Sequence, residues 1–302
     1  MKFSVLICTY NRHEVLGRAL EALINGTEEK PDEVVVVNGG DHRADQVVQR
    51  YLGKGVEVKL IKTANKNLAA SRNIGMPHCT GDIIGMTDDD AEVFPDWVIR
   101  MKAAHQAHPE AGAVGGTIIA IDRRPLACRL AEKVTFPSWP LPRYIRTLPT
   151  VNLSYKAEII RLIGAQDEEM WTGEDVDYNW RMIKAGYSVY FDPSICVYHN
   201  HPNTLRELWF KHFTYGRGYY LVRHKWADMY CIYPHDLRTT KGWLKLGNFA
   251  AATFYRPLFT SVGMRRFEDK LLGLPVLLVN ELATRCGLIN QYVRTKRGVL
   301  GR

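Results

Sequence analysis

Strand-like and helix-like segments alternate without a break through the first 120 residues, and this rhythm constrains the fold more than any other feature of the chain. FSVLIC (3–8) reads as a buried strand. HEVLGRALEALIN (13–25) places Val15, Leu16, Ala19, Leu20, Leu23 and Ile24 on one helical face. Asn11, three residues before Glu14, has the form of an N-terminal cap. EVVVV (33–37), a helix around Asp45–Leu52, VEVKLI (56–61), a helix around Leu68–His78 and DIIGMT (82–87) continue the series. This βαβα order predicts an α/β fold: a Rossmann-like, mostly parallel sheet flanked by helices. Such sheets bind ligands beyond the carboxyl ends of their strands. Three of those ends are polar here: Thr9–Tyr10–Asn11, Asn38–Gly39–Gly40 and Asp88–Asp89–Asp90.

After Pro95 a helix is expected to about His108, with proline in a permitted first-turn position. AVGGTII (113–119) reads as a further strand. Residues 120–150, rich in Pro and Arg, read as a long loop or insertion. VNLSYKAEIIRLIG (151–164) predicts a short strand and a helix. GEDVDYNWRMIKAG (173–186) predicts a helix stopped by Gly186, and YSVYF (187–191) a strand. From Asn203 the pattern turns helical, aromatic and basic. The expected division is an α/β unit over 1–202 and a helical extension over 203–302.

Charge follows the same division. Residues 203–302 hold 17 Lys/Arg against 6 Asp/Glu, a net +11, which leaves −3 for residues 1–202 within the whole-chain +8. The asymmetry implies an anionic partner for the last third, or a solvated face. LLGLPVLLVNELATRCGLI (271–289) is the most apolar stretch, but Pro275, Asn280, Glu281 and Arg285 make it a poor bilayer span. Flanked by Arg265, Arg266, Lys270, Arg294, Lys296 and Arg297, it reads as an interfacial amphipathic helix, or as one packed in a core or dimer interface. The six cysteines show no CxxC spacing, which argues against a zinc site or disulfide framework and points to a reducing cytosol. The six-residue apolar run in Met1–Cys8 is too short for a secretory leader.

Three motifs carry chemistry. Asp88, Asp89 and Asp90 form either a solvated turn or a divalent cation site, since hard cations prefer carboxylate and phosphate oxygens. In TGEDVD (172–177), Thr172 and Asp175 have capping-box spacing, and acids in a first turn suit the helix dipole. The alternative is a carboxylate acting as general base. His199 and His201, just after a strand, are either structural or metal-binding.

VLICTYNRHEVLGRALEAL, EVVVVNGG, NLAASRNIGMPHCTGDIIGMTDDDAEVFPDWV, VNLSYKAEIIRLIG, GEDVDYNWRMIKAGYSVYF and YHNHPNTLRELWFKHFTYGRG occur in that order. Over residues 2–220 the set resembles the family 2 glycosyltransferases, which have the GT-A fold. The resemblance implies a catalytic domain over 1–202, with a nucleotide-sugar half (about 1–120) and an acceptor half (about 121–202). It puts Thr9, Tyr10 and Asn11 beside a nucleobase, with Asn38 where the family usually has an Asp that hydrogen-bonds the base. It puts Arg72 and Asn73 near the base and diphosphate, and matches Asp88–Asp89–Asp90 to the DxD motif. There the first Asp faces the nucleoside and Asp90 binds the metal, helped by His199, with His201 close enough to be confused with it. Asp175 matches the catalytic base and Glu174 its acidic neighbour. Trp171 and Tyr178 flank Asp175 as candidates to stack on an acceptor sugar.

The expectation is therefore an inverting, Mn²⁺- or Mg²⁺-dependent transfer from a nucleotide-diphosphate sugar to a glycan or lipid-linked acceptor. The setting expected is the cytoplasm, peripheral to the inner face of a membrane, in polysaccharide, glycolipid or envelope glycan assembly. Arg206, Lys211, Arg217, Arg223 and Lys225, on an aromatic-rich stretch, would meet a lipid diphosphate, the membrane surface or the donor phosphates, or form a solvated face. A sugar nucleotidyltransferase is disfavoured because CTYNRHE has no glycine. A dehydrogenase lacks its GxGxxG. A basic membrane- or polyanion-binding protein would leave the acidic motifs and their order unexplained. No nucleic-acid partner is expected.

Overall fold

The structure is a computed structural model and describes residues 1–136, 138–226, 228–229, 237–264 and 266–298. Cys231 and Arg265 lie outside the described residues. The chain divides into two compact units: residues 1–121 with 136–200, and residues 122–135 with 201–302.

The first unit is built on β1 (Phe3–Thr9), β2 (Glu33–Asn38), β3 (Glu57–Lys62) and β4 (Ile83–Asp88), parallel and in the order β3-β2-β1-β4. Beyond β4 come β8 (Leu153–Lys156) antiparallel to it, β6 (Ala111–Ala120) antiparallel to β8, and β9 (Ser188–His199) parallel to β6. β5 (Ala91–Val93) and β7 (Arg143–Ile145) pair antiparallel with β9.

Side-chain alternation on β1 builds two cores. Phe3, Val5 and Ile7 enter one, with Leu16, Leu20 and Leu23 of α1 (His13–Ile24), Val47 and Val48 of α2 (His42–Gln49), and Trp97 and Met101 of α4 (Trp97–Ala107). Leu6 enters the other. It meets Ile159 of α6 (Ala157–Ile163) and Met182 of α7 (Glu174–Lys184), on the face where α3 (Leu68–Gly75) also lies close to Leu6 and Val37. Helices thus cover both faces, as the alternation predicts.

Residues 120–150 are not simply a loop. They contain β7 and α5 (Leu126–Val134), and α5 belongs to the second unit. The last strand is also longer than YSVYF suggests, because β9 continues through Pro193 and two register shifts against β6 to reach His199.

The second unit adds α8 (Leu205–Lys225), α9 (Thr240–Val262) and α10 (Phe267–Lys296). Its core is Leu130, Ala131, Leu208, Met264 and Leu277. Helices α8 and α10 cross in close contact: a Cβ on Gly216 would strike the carbonyl of Thr284, and one on Gly287 that of Phe213. By length and apolar composition α10 is able to cross a membrane. The α8 cations lie against rings of the same helix: Arg206 5.3 Å from the Phe210 centroid, Lys211 5.8 Å from Tyr215, and Arg223 4.8 Å from Tyr219. Arg217 reaches across instead, its Nε donating to Gln291 Oε1 of α10 at 2.9 Å.

Candidate active site

The polar ends of β1, β2 and β4 meet at one edge of the sheet. After Thr9 the chain turns sharply at Asn11, whose φ of 55° is the only positive value at a non-glycine residue among those described. This overturns the capping expectation. The N-cap of α1 is Arg12, with no side-chain cap bond, and Asn11 Oδ1 instead accepts from Asp41 N at 2.9 Å. Gly40 is required there because a Cβ would collide with Asn11. Tyr10 stays half-exposed.

Asn38 is 1% exposed, and both its amide donors and its oxygen are hydrogen-bonded within the protein. Nδ2 donates to Asp41 O at 2.8 Å and to Asp45 Oδ1 at 2.7 Å, while Oδ1 accepts from Gly40 N at 2.7 Å. It builds the β2 turn rather than offering an amide to a base.

The three aspartates separate in function. Asp88 Oδ1 lies 3.5 Å from Arg72 Nη2. Asp89, which the motif match counts among the nucleotide-binding residues, is wholly buried and turned inward. Its Oδ2 accepts from Thr9 Oγ1 at 2.6 Å and Arg12 Nε at 3.2 Å, and Arg12 also pairs with Oδ1. Burial raises the Asp89 pKa to about 7, with Arg12 and Thr9 opposing the rise. Asp90 faces the other way. Its Oδ2 accepts from Arg12 Nη1 at 2.8 Å, and its Oδ1 lies 3.4 Å from His199 Nε2.

Strand pairing brings His199 to this point. Antiparallel register sets Ala91 of β5 opposite His199 of β9, and Asn200 N donates to Asp90 O at 3.2 Å. One ligand atom from each of Asp88, Asp90 and His199 lies within 4.8 Å of the others. Two carboxylate oxygens and an imidazole nitrogen, partly open to solvent, fit a divalent cation. His201 falls beyond β9, in the second unit, where its carbonyl faces the Cys128 thiol.

Arg72, on α3, ties this cluster to α7. Its guanidinium is 5% exposed and pairs with Glu174 Oε1 at 3.0 Å as well as with Asp88. Asn73 beside it is committed elsewhere. Its amide donates to Gln166 O and Glu168 Oε1 and accepts from Gln166 N, clamping the 166–168 loop rather than facing a diphosphate.

The N-cap of α7 is Gly173, with φ 81° and no side chain to cap the helix, so Thr172 does not form a capping box. Glu174 and Asp175 open its first turn. Asp175 Oδ1 accepts from Val176 N at 2.8 Å. Burial first, then the charge of Glu174, raises the Asp175 pKa to about 7 against the lowering effect of Arg72. Tyr178 is wholly buried and donates to Gly164 O at 3.0 Å, so it packs the core and cannot stack on a sugar. Trp171 remains partly exposed.

Arg12 is the residue that sequence reasoning missed. The available signal was a lone cation in the turn after β1, at the same sheet edge as three adjacent carboxylates.

A sheet of this topology with two carboxylates and a histidine gathered at its carboxyl edge defines an α/β protein of the GT-A type. The chain belongs to Glycosyl transferase family 2, whose profile matches residues 4–156. It is 34% identical over 121 residues to the glucosyl-dolichyl phosphate glucuronosyltransferase of Haloferax volcanii, covering 39% of each chain. It is 30% identical over 169 residues to the pre-mycofactocin glycosyltransferase of Mycobacterium tuberculosis, covering 52% of this chain and 35% of that one. The chain thus spans well under half the length of these curated relatives. Among solved structures, a mannosyltransferase from Pyrobaculum calidifontis, in complex with GDP-Man and Mn²⁺, superposes with a TM-score of 0.63 at 18% identity, covering 98% of this chain and 87% of that one. Staphylococcus aureus TarS 1-349, in complex with UDP-GlcNAc, gives 0.59 at 15% identity, covering 99% and 92%.

Proposed function

We propose that the protein is an inverting glycosyltransferase that moves a sugar from a nucleotide-diphosphate sugar to an acceptor hydroxyl. The observation that carries this reading is the cluster of Asp88, Asp90 and His199, tied through the Asp88–Arg72–Glu174 ion pairs to the Asp175 carboxyl with its pKa near 7. A group of that pKa is poised to take a proton at neutral pH.

Asp88, Asp90 and His199 would hold a divalent cation, which would supply positive charge to the leaving diphosphate. Exposed Tyr10 offers a stacking surface for the base. Arg72 holds Glu174 and Asp88 in place, so the donor end and the base end of the site keep their separation. Asp175 accepts the proton of the acceptor hydroxyl. The hydroxyl oxygen bonds to the anomeric carbon from the face opposite the diphosphate, and the bond to the diphosphate oxygen breaks with its electron pair. One displacement inverts the anomeric configuration, and no covalent sugar–enzyme intermediate is required.

The acceptor is a glycan or lipid-linked sugar, and the enzyme works on the cytoplasmic face of a membrane. Support comes from the helical unit, where Trp243, Phe254, Phe259, Phe267 and Leu271 are exposed among Lys241, Lys245, Arg256 and Lys270. The name of the Haloferax relative places its own substrate on dolichyl phosphate.

The test is a panel of UDP-, GDP- and dTDP-sugars with Mn²⁺, Mg²⁺ or chelator, following nucleotide release and thermal shift. Metal-dependent release from one nucleotide class is expected. No response to any nucleotide, with or without metal, would overturn the proposal in favour of a non-catalytic polyanion-binding role.

A further inference from the structure

The helical unit carries an open-sided cavity of about 840 Å³, within the roughly 300–1,000 Å³ span of small-molecule sites. Its walls come from α5, α8, α9 and α10 alone, so none of the residues of the proposed reaction takes part in it.

Two kinds of wall meet there. Leu246, Phe249, Leu277 and Leu288 make an apolar side. Lys133, Arg223, Arg256 and Arg285 stand against one carboxylate, Glu281, a net +3 among the lining residues. His212 adds no charge at neutral pH, because burial lowers its pKa to about 4.

Two donors lie unsatisfied just behind the wall. Asn280 lines the cavity at 4% exposure, and its Nδ2 has no hydrogen-bond partner among the described residues. Arg285 Nε is also buried without a partner among them, although Nη2 donates to Glu281 Oε1 at 2.7 Å. The Arg285 guanidinium lies 3.4 Å from the centre of the Phe249 ring, which joins the polar wall to the apolar one. A buried donor without an acceptor costs about 1–3 kcal/mol. A water molecule would satisfy one donor, but it would match neither the surplus positive charge nor the apolar side.

We propose that this cavity binds an anionic amphiphile, a hydrocarbon chain with a phosphate head. The head lies against Arg223 and Arg256, and a small side-chain shift would bring the buried Asn280 Nδ2 and Arg285 Nε within its reach. A phosphate suits several guanidinium groups better than a neutral head does. The chain lies along Phe249, Leu277 and Leu288 and leaves past Phe259 and Ile289, which line the cavity yet are 73% and 60% exposed.

The test is calorimetric titration of the full chain with dodecyl phosphate below its micellar concentration, beside inorganic phosphate and dodecyl maltoside. Saturable one-site binding of dodecyl phosphate is expected, at least tenfold tighter than either control. Asn280→Leu should weaken it tenfold or more, and so should Arg256→Ala at the exposed rim, a change that leaves the helix packing intact. Leu288→Trp, which fills the cavity, should abolish it. Equal binding of inorganic phosphate would reduce the site to a bare anion site and overturn the proposal, and equal binding of dodecyl maltoside would overturn the need for charge. Non-saturating uptake, or wild-type affinity in both Asn280→Leu and Arg256→Ala, would put the amphiphile on the outer surface and overturn the cavity. Nucleotide-sugar turnover is not read, so failure here is distinct from failure of the proposed reaction.

Discussion

Arg12 Nη1 lies 2.8 Å from Asp90 Oδ2, so the carboxylate best placed to hold a cation is already paired with a side-chain cation. The same guanidinium neutralises buried Asp89. One arginine therefore sets the charge that the strand-end cluster presents.

Arg12→Ala is expected to tighten Mn²⁺ binding measured without nucleotide. Two charges 4 Å apart exchange roughly 4 kcal/mol at an effective dielectric of 20. Arg12 is half-exposed, so solvent screening leaves about 1.4 kcal/mol, or about tenfold in affinity. Free-Mn²⁺ titration by electron paramagnetic resonance reads it. Unchanged or weaker binding would show that Arg12 does not compete for Asp90.

Asp90→Ala and His199→Ala should each lower metal-dependent turnover by more than the roughly 10–100-fold typical of residues outside the ligand sphere, with the melting temperature nearly kept. Asp89→Asn should instead leave metal affinity and turnover little changed, because among the described residues the Asp89 carboxylate bonds to Thr9 and Arg12 and not to the metal-side groups. A common phenotype for all three variants would contradict the division of labour seen in the aspartates.

Asp175→Asn should cut kcat by roughly 10²–10⁴-fold and leave donor affinity unchanged. As the proposed base, Asp175 must be ionised, so kcat should fall as pH drops below about 7, the pKa to which burial and Glu174 raise this group. The stability sign is opposite. Between the ordinary value of 3.8 and about 7 the folded state holds a proton that the unfolded chain has lost, so the group costs stability as pH rises through that window. The inactive variant is therefore expected to melt higher than wild type at pH 8. A lower melting temperature would show that the carboxylate is structurally required.

Glu174→Gln removes a negative neighbour of Asp175 and frees Arg72 from its pair. Both changes favour the ionised form of Asp175. The acid limb of the pH–rate profile should move to lower pH, while kcat above pH 8 changes by less than about tenfold, in line with a group that does not itself transfer the proton. A limb moved to higher pH would mean that the two carboxyls do not interact as described.

His105, on α4, is 3% exposed, and its Nε2 bonds to Ser154 Oγ at 2.9 Å. Burial, with a smaller contribution from Lys156, lowers its pKa from 6.5 to about 3. Between those values the unfolded chain binds a proton that the folded one does not, so stability falls as pH drops below 6.5. Between pH 7 and pH 5 the wild type should lose roughly 2 kcal/mol more than His105→Gln, at 1.36 kcal/mol per unit. Urea unfolding at the two pH values measures the difference, and equal losses would show that the ring is not held neutral.

The amino-acid sequence by itself determined the alternation of elements, the two-sided sheet and the three polar strand ends. All of these are local: a continuous apolar run on β1, period-3.6 burial on α1, and a change to polar residues after each strand. It also singled out Asp88, Asp90, Asp175 and His199 as candidates, because acids and histidines at strand and helix ends stand out against apolar runs.

Only the tertiary structure decided which of these groups face one another. Adjacent aspartates look equivalent in one dimension, yet a turn sends Asp89 to Thr9 and Asp90 to His199, residues 80 and 109 positions away in the chain. Asn38, Asn73 and Tyr178 look available in sequence and are taken up by packing or backbone hydrogen bonds. The seam between β5 and β9 that delivers His199 depends on register across a hundred residues of chain, and the placement of Arg12 depends on a left-handed turn at Asn11. Burial and pairing partners are properties of the folded chain, and they convert a run of like carboxylates into one buried acid and two carboxylates open to the site.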